Sequence, residues 1–264
     1  MFSKAARASL FRSIPKASTN SQKCLFSSSS RHRLHHSIRA LLRETAQPVA
    51  VVTSFMPQEH RQHKDRKAKG TGAAELKDTS IFHGATLSSF TSISMDPHPL
   101  IAFSLRVPSR MATTLSELTL SDPAHMVINL LSAPQAHHAL LFSRPDLHPH
   151  PFDAVGWSTS KEGFPILDGS LGALSCKLIT STPLHNLNKL DRPRKLDGVD
   201  DVWRGEGVAS KLFIAQVVRV ENVSPDRAAQ ELDLDLWTKP LLYHRRGYAT
   251  ISNTPLSAPH KHRH

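Results

Sequence analysis

Short apolar runs and apolar–polar alternation recur along most of the chain after residue 48. Segments of this kind, rich in β-branched and aromatic residues, predict β-strands. The predicted strands are residues 49–55, 83–94, 100–105, 125–131, 172–180, 211–220 and 240–248. They do not alternate with helices as the strands of a parallel sheet do. The pattern therefore predicts a mainly β protein, an antiparallel barrel with a few short helices at its edges.

Three short helices are predicted between and before the strands. The first, residues 37–43, precedes the first strand. In the second, Met111, Leu115 and Leu118 recur at helical spacing after Ser109, a good N-cap residue. The third follows Ser132, whose spacing to Gln135 matches a capping box, and continues to residue 142. A helix start presents main-chain N–H groups to solvent, so Ser109 and Arg110 form a candidate phosphate site, although most helix starts bind nothing.

The segment 83–94 has an unusual composition for a strand. It carries little bulk and many hydroxyl groups, and the apolar segment 100–105 follows after a Pro-rich turn. The hydroxyls belong to Thr86, Ser88, Ser89, Thr91, Ser92 and Ser94. Small polar side chains leave room for a ligand and can form hydrogen bonds with it. The segment is therefore a candidate ligand shelf, and the alternative is a surface strand that happens to be rich in Ser and Thr.

The basic charge of the chain is concentrated at its start. The net charge is +11, but residues 1–43 contain nine Lys or Arg and no acidic residue. Residues 44–264 then carry 24 basic and 22 acidic side chains, which is nearly neutral. This distribution argues against a nucleic-acid-binding protein, which needs a basic face on the folded domain. The Arg- and Ser-rich start is typical of a mitochondrial transit peptide, and a disordered basic arm is the alternative.

Composition also sets the domain limits and excludes several kinds of site. We expect a disordered transit peptide over residues 1–37, one domain over 38–251 with loop insertions at 57–77 and 184–207, and a disordered His-rich tail over 252–264. No apolar run is long enough for a membrane-spanning helix. Residues 143–164 read as a loop whose histidines lack the spacing of a metal site. Cys24 would leave with the transit peptide, and Cys176, alone in an apolar run, is expected to be structural.

Several enzyme classes lack their motifs in this chain. There is no glycine-rich dinucleotide fingerprint after a strand, no phosphate loop and no nucleophile elbow. The remaining candidates are the hydroxyl-rich segment, the helix start at Arg110 and a basic, aromatic segment near the C-terminus. Together they suit a flat, anionic, hydrogen-bonding ligand.

The residues 84–100 carry a resemblance to a known family. Their sequence, Gly-Ala-Thr-Leu-Ser-Ser-Phe-Thr-Ser-Ile-Ser-Met-Asp-Pro-His-Pro-Leu, resembles the signature of the flavin reductase-like family. Segments 49–53, 128–131, 174–176 and 240–243 match in the family's order, so the resemblance covers roughly residues 38–251. It implies an FMN-binding split barrel, and the leader suggests a fungal-type mitochondrial member located in the matrix.

The resemblance also implies a ligand, a partner and a set of site residues. It implies a homodimer that binds FMN and reduces flavin with NADH or NADPH, with no metal, nucleic acid or membrane insertion. Residues that match the family's cofactor-binding positions are Ala85, Thr86, Ser88, Ser89, Phe90, Thr91, Ser92, Ser109 and Arg110. The last two would take the phosphate, where the helix start independently suggests an anion. No catalytic residue is assigned.

One departure from the family concerns turnover. Flavin-reducing relatives often carry an Asp-His pair just before the strand 212–217, and this chain has Ala209 and Ser210 there. The histidine helps to position nicotinamide or flavin in such relatives. Two alternatives therefore stay open beside the reductase: an oxidase or reductase of the same barrel acting on another small molecule, and a flavin-binding or assembly protein without NAD(P)H turnover.

Overall fold

The computed structural model describes residues 28–56, 79–117, 122–185, 209–226 and 234–252. The chain divides into two compact units, Met1–Leu42 and Arg43–His264. The first unit contains most of helix α1, Ser28–Arg43, whose side chains from residue 33 onwards are exposed. The predicted helix 37–43 is thus longer, and it begins within the segment predicted as a transit peptide.

The second unit is built mainly from β-strands. Its strands are β1 Gln47–Pro48, β2 Ala50–Phe55, β3 Phe82–Leu87, β4 Thr91–Ser94, β5 Leu100–Val107, β6 Met126–Leu130, β7 Trp157–Thr159, β8 Pro165–Leu167, β9 Gly172–Pro183, β10 Ala209–Glu221, β11 Leu242–His244 and β12 Gly247–Ala249. Three helices accompany them: α2 Arg110–Glu117, α3 Ala136–Ser143 and α4 Leu234–Trp237. Short 3₁₀ turns lie at Thr79–Ile81, Ala133–Gln135 and Pro151–Asp153.

Seven strands form one antiparallel sheet in the order β3-β2-β6-β9-β10-β5-β4. Its centre is held by the two longest strands, β9 and β10, whose register shifts at two points, between Ile214 and Ala215 and between Val217 and Arg219. Such bulges increase local twist and help a sheet to curl. The sheet is a curled half-barrel, which confirms the predicted fold class of a mainly β antiparallel split barrel with few short helices.

The two edge strands of this sheet are consecutive in the chain. β3 ends at Leu87 and β4 begins at Thr91, although the sheet order places five strands between them. The four residue steps from Leu87 to Thr91 span at most about 14 Å when fully extended. The sheet must therefore curl until its edges almost meet, and we call the connecting residues 88–90 the link. The predicted single strand 83–94 is thus wrong in detail, because it consists of two strands on opposite edges.

The interior of the half-barrel is apolar. On β10, Phe213 and Ala215 point inward and are buried. Phe213 stacks on Phe103 of β5 with ring centroids 5.4 Å apart. Helix α2 contributes buried Met111 and Leu115 to the same cluster. These contacts fix β5, β10 and the start of α2 relative to one another.

A second apolar cluster lies beneath helix α3. Phe142 of α3 and Phe152 of the following 3₁₀ turn pack edge to face, with ring centroids 5.1 Å apart, and Leu167 of β8 belongs to the same cluster. Gly84 of β3 faces this helix so closely that a Cβ atom there would lie 2.6 Å from the Phe142 ring. The glycine is therefore required by a close approach between β3 and α3.

Two small sheets complete the described part of the second unit, and neither was predicted from the sequence. β7 and β8 form a hairpin, so the predicted loop 143–164 contains a strand. β11 and β12 form a second hairpin that pairs with β1, where one continuous strand over 240–248 was predicted. Its turn holds Arg245 and Arg246 at positive φ, 48° and 66°, which a sequence without glycine at those positions does not predict. The insertion 57–77, nearly all of 184–207 and the tail after residue 252 lie outside the described residues.

Candidate functional site

The link and its flanking strands carry seven of the nine predicted cofactor-binding residues. Ser88, Ser89, Thr91 and Ser92 are exposed, whereas Ala85, Thr86 and Phe90 are partly buried. Ala85 and Phe90 pack against the central core. The core therefore anchors the chain immediately on either side of the two serines, and their main chain runs over the surface between fixed points.

Most hydroxyl groups of the predicted set already bond to protein. Thr86 donates to the carbonyl of Ala139 in α3 at 2.7 Å. Thr91 donates to the neighbouring Ser92 carbonyl at 3.2 Å, and the Ser92 hydroxyl lies 3.7 Å from the Met95 sulfur. The Ser88 hydroxyl forms no hydrogen bond with the described part of the chain. Of these four, the Thr86 hydroxyl is tied to protein by a short bond, and Ser88 is open to a ligand.

Ser89 is connected to strand β5. Its hydroxyl lies 2.9 Å from the main-chain nitrogen of Ser104, which donates to it, and 3.1 Å from the Ser104 hydroxyl. Ser89 also donates to the Ser104 carbonyl at 3.2 Å. These bonds place the link against β5, five residues before Ser109. Five residues span at most about 18 Å, so Ser104, which holds the link, and Ser109, which caps α2, are no farther apart than this.

The start of α2 has the geometry predicted for an anion site. The Ser109 hydroxyl accepts from the Ala112 main-chain N–H at 3.2 Å, and the Ser109 carbonyl accepts from Thr113 at 3.0 Å. Ser109 is therefore the N-cap, as predicted. Among the described residues, the main-chain N–H groups of Arg110 and Met111 have no acceptor, and the exposed Arg110 side chain has no partner. Two open N–H groups and a guanidinium at one helix start favour an anion.

The positions of the missing Asp-His pair lie beside this helix start. Ala209 and Ser210 begin β10, opposite Val107 and Arg106 of β5. Paired residues point to the same side of a sheet, so Ser210 and the exposed Arg106 share one face. Lys211, the next residue, reaches α2 and donates to the Ser116 hydroxyl at 2.9 Å. A cation, rather than an imidazole, therefore lies at this end of β5 and β10.

Two groups at the site were not predicted from the sequence. Ser104 lies in a predicted apolar strand and bonds Ser89, and the Ala139 carbonyl accepts from Thr86. Ser104 is the only hydroxyl residue within 100–105. That polar interruption of an apolar run is the signal that could have identified it. The Ala139 carbonyl has no signal in the sequence, because it depends on how α3 packs.

Cys176 of β9 is buried, and desolvation raises the pKa of its thiol to about 12, so the thiol stays protonated at neutral pH. This confirms the structural thiol. Within the described ranges, no cluster of His, Cys, Asp and Glu has the arrangement of a metal site. None of the described helices has the length and apolarity needed to cross a bilayer.

A curled antiparallel half-barrel, with a short link between its edge strands and a helix start nearby, is the arrangement of a split-barrel flavoprotein fold. A family model described as "Flavin reductase like domain" matches residues 42–252, well over half of the chain. The chain belongs to the flavin reductase-like family.

Named relatives agree with this assignment. The chain is 29% identical over 134 residues to an NADH-dependent flavin reductase of Rhodococcus sp, covering 51% of this chain and 68% of the relative. It is 34% identical over 94 residues to the FMN reductase (NADH) SmoA of Agrobacterium fabrum, covering 36% of this chain and 49% of the relative. The match thus spans about two thirds and about half of the two relatives' lengths.

A solved structure supports the fold independently. Nitrilotriacetate monooxygenase component B from Mycobacterium thermoresistibile superposes with a TM-score of 0.53 at 21% identity, covering 88% of this chain and 96% of that chain. At this identity the likeness concerns the fold alone.

Proposed function

We propose that this protein is an FMN-binding oxidoreductase that uses NADH or NADPH to reduce flavin. The observation that carries the proposal is the bonding of the link to Ser104 of β5, five residues before Ser109 at the start of α2. The link offers open main-chain groups and the Ser88 hydroxyl, while the helix start offers Arg110 and two N–H groups without acceptors. Membership of the flavin reductase-like family and the names of the two relatives support the same activity.

The described residues fit FMN, which combines a polar chain and a phosphate with a flat ring. Arg110 and the N–H groups of α2 would hold the phosphate, because a guanidinium and a helix start both favour a dianion. The link would bind the polar groups of the flavin through its main chain and through Ser88. When bound, FMN would supply the hydride-accepting chemistry, so the protein needs to hold and orient it rather than to react itself.

The proposal is tested on the purified full-length chain by visible spectroscopy. The spectrum is recorded with and without added FMN, and NADH and NADPH are then added separately in the absence of oxygen. We expect flavin absorbance to bleach with at least one nucleotide, at a rate that saturates with nucleotide concentration. A protein that neither contains nor binds FMN would contradict the proposal.

A second candidate function is a flavin-binding or assembly protein without turnover. The specific observation in its favour is Ser210 at the position where flavin-reducing relatives often carry histidine. The same experiment separates the two functions, because this candidate predicts a yellow protein that neither nucleotide bleaches. A variant with the pair restored, Ala209→Asp with Ser210→His, would then be expected to gain reduction by NADH. No gain would remove the pair as the explanation.

We also propose that the protein is a fungal-type mitochondrial member of the family, imported into the matrix. Helix α1 supports import, because it lacks acidic residues and places exposed Leu34, Ile38, Leu41 and Leu42 at helical spacing on one side. Amphipathic basic helices are typical of transit peptides. Because α1 continues to Arg43, cleavage after residue 37 would fall inside the helix. Import assays with isolated mitochondria and N-terminal sequencing of the product test both points.

The proposed quaternary state is a homodimer, carried over from the family resemblance. The outward-facing side chains of Leu212 and Ile214 on β10 support it, since both are apolar and only half buried. Light scattering coupled to size-exclusion chromatography is expected to give twice the chain mass. A monomer at concentrations used for the flavin assay would contradict the proposal.

A further inference from the structure

The hydroxyl of Ser89 is fully occupied by one neighbour. A serine hydroxyl can donate one hydrogen bond and accept two. Ser89 donates to the Ser104 carbonyl, and it accepts from the Ser104 main-chain N–H and from the Ser104 hydroxyl. Each of these three contacts lies between 2.9 and 3.2 Å. This hydroxyl therefore has no remaining capacity for a ligand while the bonds persist.

The register of β4 on β5 explains why the hydroxyl lies there. Thr91 pairs with Ala102. If this register is continued two residues towards the N-terminus of β4, Ser89 lies opposite Ser104. In an antiparallel ladder the main chain of residue 89 would normally satisfy the main chain of residue 104. Here the side chain of Ser89 takes both bonds instead. The link consequently stands off β5 by the length of a serine side chain.

Because the Ser89 side chain bonds to Ser104, the main-chain groups of Ser89 do not bond to β5. Among the described residues, the N–H groups of Ser88, Ser89 and Phe90 have no acceptor. Ala85 and Phe90, anchored in the core, hold the chain on both sides. The Ser89–Ser104 bonds hold the link at this distance from β5, and losing them would leave the Ser104 N–H without its acceptor. The Ser89–Ser104 contact thus keeps the Ser89 N–H exposed, whereas ordinary strand pairing would direct it to the Ser104 carbonyl.

We infer that Ser89 and Ser104 are positioning residues, which hold the link away from β5 so that its main-chain N–H groups bind the flavin. Ser88, whose hydroxyl is open, then makes the direct side-chain contact. This inference rests on the proposed function for the identity of the ligand. It differs from the family resemblance, which places Ser89 among the residues that touch cofactor.

A double-mutant cycle on full-length protein tests the inference. The variants are Ser89→Ala, Ser104→Ala and the double variant, with Ser89→Thr as the conservative variant that keeps a hydroxyl. FMN affinity is measured by quenching of flavin fluorescence, and exchange of the Ser104 amide hydrogen by NMR. All substitutions are at partly or fully exposed positions, so thermal melting is expected to stay close to that of the unmodified protein.

We expect Ser89→Ala to weaken FMN binding about tenfold and Ser104→Ala about threefold. The double variant should bind as Ser89→Ala does, because residues that act through one contact are not additive. Exchange of the Ser104 amide should accelerate in Ser89→Ala, with or without FMN, and return to normal in Ser89→Thr. Direct contact between Ser89 and the ligand predicts instead an unchanged FMN affinity in Ser104→Ala.

Three results would overturn the inference. They are an unchanged FMN affinity in Ser104→Ala, additive losses in the double variant, or an unchanged Ser104 amide in Ser89→Ala. Failure of the proposed function gives a different pattern. If the unmodified protein does not bind FMN, the named ligand is wrong, whereas the amide exchange still decides whether Ser89 holds Ser104.

Discussion

Strands β2 and β4 each contain a Thr-Ser pair, and the two pairs are used in opposite ways. In β2, Thr53 and Ser54 are buried, and their hydroxyls donate to the Pro165 carbonyl at 2.6 Å and the His125 carbonyl at 2.9 Å. In β4, Thr91 and Ser92 are exposed. Their hydroxyls make a bond to an adjacent residue and a long contact to sulfur.

The difference shows what distinguishes a structural hydroxyl from one that is available to a ligand. A buried hydroxyl must be satisfied by protein, because leaving it unpaired costs free energy. Those of β2 meet this requirement through partners more than 70 residues away in sequence. An exposed hydroxyl has no such requirement. Composition alone therefore cannot identify a ligand shelf, and the partner of each hydroxyl can.

The largest effect is expected at Gly84, which lies opposite Thr53 in the buried region. Gly84→Ala places a methyl group against the Phe142 ring, which is itself 2% exposed, so the ring and its packed neighbours would have to shift. We expect a loss of about 3 kcal/mol in the free energy of unfolding. Gly172→Ala is the matched control, since nothing lies within 4 Å of its Cβ position. Equal losses for both variants, measured by denaturant unfolding, would contradict this account.

Substitutions in the exposed region should change the affinity for FMN and leave the free energy of unfolding unchanged. Arg110→Ala removes a side chain without a partner among the described residues, so the unfolding free energy should be unchanged. If Arg110 pairs with the FMN phosphate, binding should weaken by ~1.5–3 kcal/mol. Isothermal titration with FMN measures this. Arg144→Ala is the control for lost charge, because Arg144 pairs with Asp146, outside the proposed site. An unchanged dissociation constant for Arg110→Ala removes it from the site.

Replacing the threonine in each pair by valine makes the comparison directly. Thr53→Val leaves the Pro165 carbonyl and the Asn129 side chain without the hydroxyl, and we expect a loss of about 2 kcal/mol in unfolding free energy. Thr91→Val should change the unfolding free energy by less than about 0.5 kcal/mol. Chemical denaturation of both variants in parallel is the measurement. A similar loss of unfolding free energy in Thr53→Val and Thr91→Val would show that exposure does not distinguish the Thr-Ser pair of β2 from that of β4.

The smallest effect concerns the side chain of His138. The buried hydroxyls of β2 are hydrogen-bonded to protein, whereas the His138 ring differs from them in this respect. Within the described ranges, neither ring nitrogen of His138 in α3 has a hydrogen-bond partner. Desolvation lowers the pKa of His138 below its ordinary value of 6.5, opposed by the charge of Asp226 and assisted by His137. Between the lowered pKa and 6.5 the unfolded chain binds more protons than the folded chain, so the unfolding free energy falls as pH falls through this window.

The dependence on His138 can reach at most about 1.4 kcal/mol per pH unit. His138→Phe should flatten the profile of unfolding free energy between pH 7 and 5, relative to the unmodified protein. His36→Phe, at an exposed position of α1, is the control and should leave the profile largely as it is. A profile that keeps its slope in His138→Phe would assign the acid sensitivity to other groups.

The larger strands were predictable from the sequence because their periodicity is local. β2, β5, β6, β9 and β10 lie where alternation or apolar runs indicate them. The division of 83–94 into β3, the link and β4 was not predictable. Both parts share one composition, and only the curling of a sheet formed by distant strands sends them to opposite edges.

The site shows the same limit at the level of single residues. The N-cap role of Ser109 follows from its own neighbours, and the structure confirms it. The partners of Thr86 and Ser89 come from segments 53 and 15 residues away, so no local pattern contains them. A resemblance to a family can identify such positions as a group. It cannot separate a hydroxyl that touches a ligand from one that holds the backbone.

The short connection between β3 and β4 also has a consequence for how the protein acquires its ligand. Strands that are neighbours in sequence become the two edges of the sheet, so the five strands between them must assemble before those edges meet. Pairings between distant segments form slowly, since a long loop must close before each contact is gained. Partly assembled chains would lack the arrangement of donors that captures flavin. Uptake of FMN would therefore mark the last stage of folding, and the bound cofactor would in turn protect the finished barrel against reopening.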